Sequence, residues 1–345
     1  MAQISAPLID MAATDDAEEL LGPILRDVSR AFYLTLRVLP AAVRPQIGLA
    51  YLLARTTDTI ADTDLVPAEQ RLQTLRQFRA RIRDDAAPPV DFSSLASEQK
   101  NPAEATLLQR SADALDMLDQ LTPTDRGQVQ LVLETITRGQ EQDLERFGGN
   151  GDGSTLTALQ TADDLDDYTY RVAGCVGEFW TRLTRTHCFP NAQLDDTAFI
   201  ADAIRFGKGL QLVNILRDLP RDLANGRCYL PAVDLAMAGL QPEDLRDPAN
   251  WPKLQPVFEP WLTKARDHLT AGGRYTLAIP HAHYRLRLAC AWPILMGAAT
   301  LDRVRAANPL EPNQLKISRA TVRGILWRTL WRVPFRGLWN RLFTI

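Results

Sequence analysis

Apolar residues recur along most of this chain at intervals of three and four, as in Leu107, Leu108, Ala112, Leu115 and Leu118, and again in Val129, Leu131, Val132 and Ile136. That spacing returns an apolar stripe to one side of an α-helix every turn, whereas the alternation of a half-buried strand is scarce. Turn-forming clusters rich in Pro, Gly and Asn interrupt the pattern at 86–90, 148–153, 188–191, 224–227 and 247–252. The pattern predicts an all-α protein: a short segment 1–20 expected to be flexible, one helical domain over 21–312, and a basic amphipathic tail over 313–345. No internal repeat of fixed period divides it.

Two of the predicted helices carry a polar stripe set in apolar sequence. The first runs from Ile47 through Tyr51 and Arg55 to Asp58 and Asp62, and the second from Leu210 through Gln211, Asn214, Arg217 and Asp218 to Asp222. At about 100° per residue, Tyr51, Arg55, Asp58 and Asp62 fall within about 60° of arc; Gln211, Asp218 and Asp222 do likewise, with Asn214 about 40° beyond Asp218. Acids four apart on one helical face repel each other unless a cation joins them, and an apolar setting raises that cost. Carboxylate oxygens select a hard ion such as Mg²⁺, with Mn²⁺ as a substitute. Asp58, Asp62, Asn214, Asp218 and Asp222 are therefore candidate metal ligands. The competing reading is a pair of helices held by ordinary Arg–Asp contacts.

Composition and charge narrow the picture. The 345 residues are 46% hydrophobic, enough for a sizeable core, and the net charge of −3 gives no reason to expect nucleic acid. From Leu315 onward there are seven Lys or Arg and no acid, so this tail carries +7 and the remainder −10. Cys175, Cys188, Cys228 and Cys290 are scattered, without zinc-type spacing, which suits a reducing compartment. Met1 to Leu20 has no basic residue and five acids, unlike a secretory or transit signal. The glycine cluster 148–153 follows no strand and reads as a connector. Asp163, Asp164, Asp166 and Asp167 read as a solvated helix start, and His281 and His283, two apart after Pro280, do not share a helical face.

The chain resembles the squalene/phytoene synthase family of head-to-head prenyl transferases. The resemblance rests on five elements in the family's order: Ser29-Arg30-Ala31-Phe32, Tyr51 to Asp62, Tyr168 to Gly177, Gln211 to Asp222 with Asn225 to Pro231, and Cys290 to Leu301. It covers roughly residues 25 to 320. It implies a helical bundle around a central cavity, and condensation of two farnesyl diphosphates to presqualene diphosphate; the squalene-forming branch then reduces this with NADPH. Tyr168, Phe32, Tyr51 and Arg55 are implied at the reacting centre, and Ser29, Arg30, Arg55, Gln211, Asn214, Arg217 and Arg227 are candidates to hold diphosphate. Lys316, Arg319 and Lys208 are candidate contacts to the NADPH phosphates. Gly174 and Gly177 suit close helix approach. Departures exist: Arg221 stands where many relatives have an acid, Pro220 is expected to kink or end its helix, and Ala289 replaces a frequent aromatic. The squalene-forming reading leads. A phytoene- or dehydrosqualene-type enzyme, one stopping at presqualene diphosphate, and a non-catalytic scaffold are the alternatives.

In the tail, Trp327, Trp331, Phe335, Leu338 and Leu342 project within about 80° on a helical wheel, flanked by Arg328, Arg332 and Arg336, with Pro334 expected to kink the helix. This pattern suits a membrane-surface helix, and with it a cytoplasmic, peripherally membrane-associated protein. The rival is a helix docked on the protein's own body.

Overall fold

The computed structural model describes residues 15–29, 32–148, 155–311 and 315–343. The chain forms two compact units, Met1–Thr137 and Arg138–Ile345. In the first, α1 (Asp15–Glu19) passes through a π-turn at Leu20–Ile24 into α2 (Leu25–Ser29), followed by α3 (Tyr33–Val38), α4 (Arg44–Asp62), α5 (Ala68–Arg83), α6 (Ser93–Glu98), α7 (Pro102–Gln109) and α8 (Ser111–Asp119). The long helix α9 (Pro123–Phe147) begins here and continues past the boundary. Helix α4 is the centre of this unit, packed by α5, α7 and α8, because its apolar positions Ile47, Leu49, Leu52, Leu53 and Ile60 leave little side uncovered. Its C-terminal carbonyls are capped from outside: buried Arg71 donates from Nη1 to the Ala61 carbonyl at 2.5 Å and to Asp64 at 3.3 Å. A guanidinium at a helix C-terminus satisfies an orphan acceptor and opposes the helix dipole, which fixes the last turn carrying Asp58 and Asp62.

The second unit continues with β1 (Thr157–Ala158), α10 (Ala162–Thr169), a π-turn at Tyr170–Gly174, α11 (Cys175–Cys188), α12 (Asp196–Ala224), β2 (Arg227–Cys228), α13 (Ala232–Met237), α14 (Trp251–Ala278), α15 (Tyr284–Arg305), α16 (Arg319–Arg332) and α17 (Arg336–Asn340). Helix α12 lies at the centre, with α11, α14 and α15 against it. The two short strands pair in parallel, Thr157 opposite Arg227 and Ala158 opposite Cys228. This clip ties the chain leaving α12 to the chain entering α10. Thr161 starts α10 with a capping box: its side chain accepts from the Asp164 amide while Asp164 accepts from the Thr161 amide.

The all-helical expectation holds, and helices end at Cys188 and Ala224 as the turn clusters predict. Three local expectations are corrected. Leu131 faces solvent, because it lies about 200° around the helix from Val129, while Val129, Val132 and Ile136 share the buried side. Of the two outcomes expected at Pro220, a kink or a helix end, the end is excluded: α12 runs on to Ala224, the missing amide costing only one bond near the terminus. The tail is not one kinked helix: α16 stops at Arg332, the chain turns through Pro334, and α17 starts at Arg336. Among the described residues no helix is long and apolar enough to cross a membrane.

Candidate active site

In the first unit, the polar stripe of α4 is organised around Arg55. Its guanidinium donates to Glu104 of α7 at 2.5 Å and stands 3.8 Å from Asp58. Glu104 is itself fixed by Asn101, the residue that caps α7, at 2.8 Å. Burial opposes the charge on Arg55, but the Glu104 carboxylate outweighs it and raises the guanidinium's pKa. One turn back, the Tyr51 ring stacks on Phe32 with centroids 5.1 Å apart, forming an aromatic pair beside the charged stripe. Asp62 is exposed and the Asp58 side chain is 46% exposed, so the acidic end of the stripe is open rather than inward-facing. The Ser29 hydroxyl donates to the Leu25 carbonyl at 2.5 Å within its own helix. Arg30 lies outside the described residues.

In the second unit, α12 presents Gln211, Asn214, Arg217, Asp218 and Asp222 along one side, against buried Leu212, Val213, Ile215, Leu216 and Leu219. Arg217 forks onto the carboxylate of its neighbour Asp218 through Nε at 2.8 Å and through Nη2. Asp222 is the electrostatically costly member. Burial and the neighbouring Asp218 carboxylate push its pKa up to about 7 despite Arg221 and Arg227, with Asp143 adding to the strain. Among the described residues no group of three or more His, Cys, Asp or Glu is arranged to hold an ion alone. Acids in twos suit Mg²⁺, which characteristically takes one or two carboxylates and completes its shell with water and substrate phosphate. The carboxyl of Asp222, short of positive charge, is the observation that this cation fits.

Next to this face is a hydrogen-bonded chain that residue spacing alone does not suggest. Tyr168, at the end of α10, donates to the Tyr229 hydroxyl at 3.2 Å with the rings stacked at 4.7 Å; Tyr229 donates to Asp143 of α9 at 3.2 Å, and Arg227 reaches the same carboxylate at 3.4 Å. Both phenols are held far above their usual pKa, first by burial and then by the charge of Asp143 and each other, with Asp222 contributing. They stay protonated at neutral pH. The β1–β2 clip explains why the two tyrosines meet, since β2 is followed directly by Tyr229 and β1 leads into α10.

Lys208 is committed elsewhere. Its ammonium sits 2.5 Å from Asp166, which also has Lys264 at 3.4 Å, so this acid, 39% exposed, is shared between two lysines. Lys316 and Arg319 are exposed. One of the three is paired with a carboxylate, and the other two stand on an open surface. Gly177 and Gly207 permit the closest helix approaches, a Cβ at either falling 2.1 Å from the Ala203 carbonyl and 2.2 Å from the Ala173 carbonyl respectively.

The squalene/phytoene synthase profile matches residues 25–321. The chain belongs to that family. Members similar to it include the bifunctional lycopene cyclase/phytoene synthase of Pyrenophora tritici-repentis, 27% identical over 323 residues that cover 89% of this chain and 49% of that protein. The squalene synthase of Saccharomyces cerevisiae is 27% identical over 300 residues, covering 86% of this chain and 64% of that one. The chain thus spans about half to two thirds of the length of these two relatives. The solved complex of TcSQS with BPH1237 superposes with a TM-score of 0.75 at 22% identity, covering 95% of this chain and 92% of that one, a likeness of fold.

Asp143, Tyr229 and Glu104 went unassigned in the sequence, as did the packing role of Gly207. A signal for Asp143 was present: Ile136, Gln140, Asp143 and Phe147 continue one helical face of α9, so polar residues occupy core phase.

Proposed function

We propose that this chain is a head-to-head prenyl transferase that joins two farnesyl diphosphates to presqualene diphosphate and reduces it with NADPH to squalene. The observation that supports it most is the Tyr168–Tyr229–Asp143 chain, with Tyr229 buried and its two ends partly buried, within electrostatic reach of Asp222. Ionising an allylic diphosphate requires a sink for negative charge at the leaving oxygens. Asp58 and Asp62 on α4, and Asp218 and Asp222 with Asn214 on α12, would each hold Mg²⁺, which when bound supplies Lewis-acid neutralisation of a leaving diphosphate. Arg55, Arg217 and Arg227 add fixed donors to phosphate oxygens, with Gln211 orienting them. Phe32 and Tyr51 offer ring faces to an allylic cation without trapping it.

The cation adds to the double bond of the second farnesyl group, and loss of one proton closes the cyclopropane. A phenol held protonated is a poor base alone. Tyr168 overcomes this by accepting the substrate proton on its oxygen while passing its own to Tyr229, whose proton passes to the Asp143 carboxylate. Charge is conserved along the chain, and no free phenolate forms. No step of the reduction is assigned to Lys208, Lys316 or Arg319.

A reading without reduction, in the phytoene or dehydrosqualene manner, is favoured by the phytoene synthases among the relatives. The absence of an aromatic at Ala289 is in keeping with it; the indole N–H of nearby Trp292 is held by the Thr329 hydroxyl at 2.9 Å. The experiment is incubation of purified protein and Mg²⁺ with farnesyl diphosphate or, separately, geranylgeranyl diphosphate, with and without NADPH, followed by mass spectrometry of extracted products. Squalene formed only with NADPH supports the proposal; a product unaffected by NADPH moves the non-reducing reading ahead, and no turnover of C15 or C20 diphosphates refutes both.

A further inference from the structure

The tail resolves into two faces that do different things. On one, α16 is docked: Ile325 is 1% exposed, the Thr329 hydroxyl accepts the Trp292 indole of α15 at 2.9 Å, and the Val333 carbonyl meets His281 at 3.1 Å. Beyond the turn, Trp339 is buried, and Phe343 packs on Gly273 of α14 within 3.1 Å of where its Cβ would be. The other face is bare. Trp327 is 75% exposed, Trp331 61%, Leu330 50% and Phe335 52%, and the Trp331 and Phe335 rings touch with centroids 5.8 Å apart.

Counted from Ile325 at about 100° per residue, Leu330 lies about 140° around the helix, Trp327 about 200° and Trp331 about 240°, directly opposite the docked side. Arg319 borders this stripe on one edge and Arg328 on the other, Arg323 lies within it, and all three are exposed, with Arg336 next to Phe335. No acid occurs from Leu315 to Ile345. Two tryptophans, a leucine and a phenylalanine in water are a standing cost that a folded protein avoids unless something covers them. Here the cover must accept indole rings at an interface and be negatively charged at its rim, which describes the headgroup region of an anionic bilayer.

We propose that this face seats the protein on anionic phospholipid surfaces while α16 stays docked, Trp327, Leu330, Trp331 and Phe335 entering the headgroup layer and Arg319, Arg323, Arg328 and Arg336 meeting lipid phosphate. The inference stands apart from the catalytic reading. The alternative occupant of the same face is a second copy of the chain.

The test is co-sedimentation of the full chain with sucrose-loaded vesicles of phosphatidylcholine alone or of equimolar phosphatidylcholine and phosphatidylglycerol. Binding to the anionic vesicles, at least about tenfold above the neutral ones and weakening with salt, is expected. The Trp327→Ser/Trp331→Ser variant should lose about tenfold or more in partitioning with an unchanged circular dichroism spectrum and melting curve, as neither ring is packed against the body. Met237→Ser, at an exposed apolar residue on α13, should bind as the parent does. Equal binding to both vesicle types, or full binding by the double variant, overturns the proposal. So does a dimer in size-exclusion chromatography that the double variant converts to monomer, since the face is then taken by a second copy.

Discussion

Tyr229 is the middle member of the proposed proton chain, because it both accepts from Tyr168 and donates to Asp143. Tyr229→Phe keeps the ring stack and removes only the oxygen. The expected result is a loss of about 1–2 kcal/mol in stability, read as a lower urea midpoint, since the Asp143 carboxylate forfeits a charge-assisted donor. Presqualene diphosphate formation should fall about 10²-fold or more, the scale of a general-base contribution, in a single-turnover assay with farnesyl diphosphate. A rate unchanged within a factor of two would show that the proton leaves by another route. Asp218→Asn tests the neighbouring face differently: it removes a carboxylate from the proposed metal site, so activity should fall and respond only at much higher Mg²⁺, measured as a Mg²⁺ titration of initial rate.

At the scale of elements, the second unit depends on how closely α12 approaches its neighbours. Gly177→Ala would drive a methyl into the Ala203 carbonyl, so α11 and α12 must separate; a cost of about 2–3 kcal/mol or more is expected from overpacking, against near-neutral Gly337→Ala on the open surface of α17, both read from denaturant curves. His268, on α14 against α12, is the pH-sensitive contact. Its ring accepts from Arg205 at 3.2 Å, and burial, with Arg205, Lys264 and Lys208 nearby, lowers its pKa to about 4. A histidine depressed in the folded state gives stability that is present above the unfolded pKa of about 6.5 and lost as pH falls toward about 4, because there the unfolded chain binds the extra proton. The His268 contribution should therefore fall by about 2–3 kcal/mol across that window, read as the difference in melting temperature between the parent and His268→Gln, because Asp222, raised to about 7, gains stability over the same window in both proteins.

For the whole molecule, the acidic pairs predict a linkage between ligand and stability. Mg²⁺ with a non-ionisable farnesyl diphosphate analogue at about a hundred times its dissociation constant should stabilise the fold by about 2.7 kcal/mol, a rise of several degrees in the melting midpoint by differential scanning fluorimetry. Neither Mg²⁺ nor the analogue alone should match it, because the carboxylates and the diphosphate each complete the other's coordination. The Asp218→Asn protein should show a smaller rise.

The order of helices, the two acidic pairs and the family were legible in the sequence because each depends on spacing along one helix, which the 3.6-residue period fixes locally. Arg55 with Asp58, and Arg217 with Asp218, are likewise short-range. What the sequence left open comes from residues far apart in the chain. Tyr168 and Tyr229 meet where the parallel β1–β2 clip joins segments some seventy residues apart, and Asp143 arrives from α9; nothing local encodes either pairing. The sharing of Asp166 between two lysines was hidden for the same reason, since they arrive from α12 and α14. The tail shows the division most plainly. Its composition announced an amphipathic basic segment, but periodicity could not say which apolar residues the body would claim. Packing decided that, taking Ile325, Trp339, Leu342 and Phe343 inward and leaving Trp327, Trp331 and Phe335 outside, because burial is settled by the surface a helix lands on rather than by the helix itself.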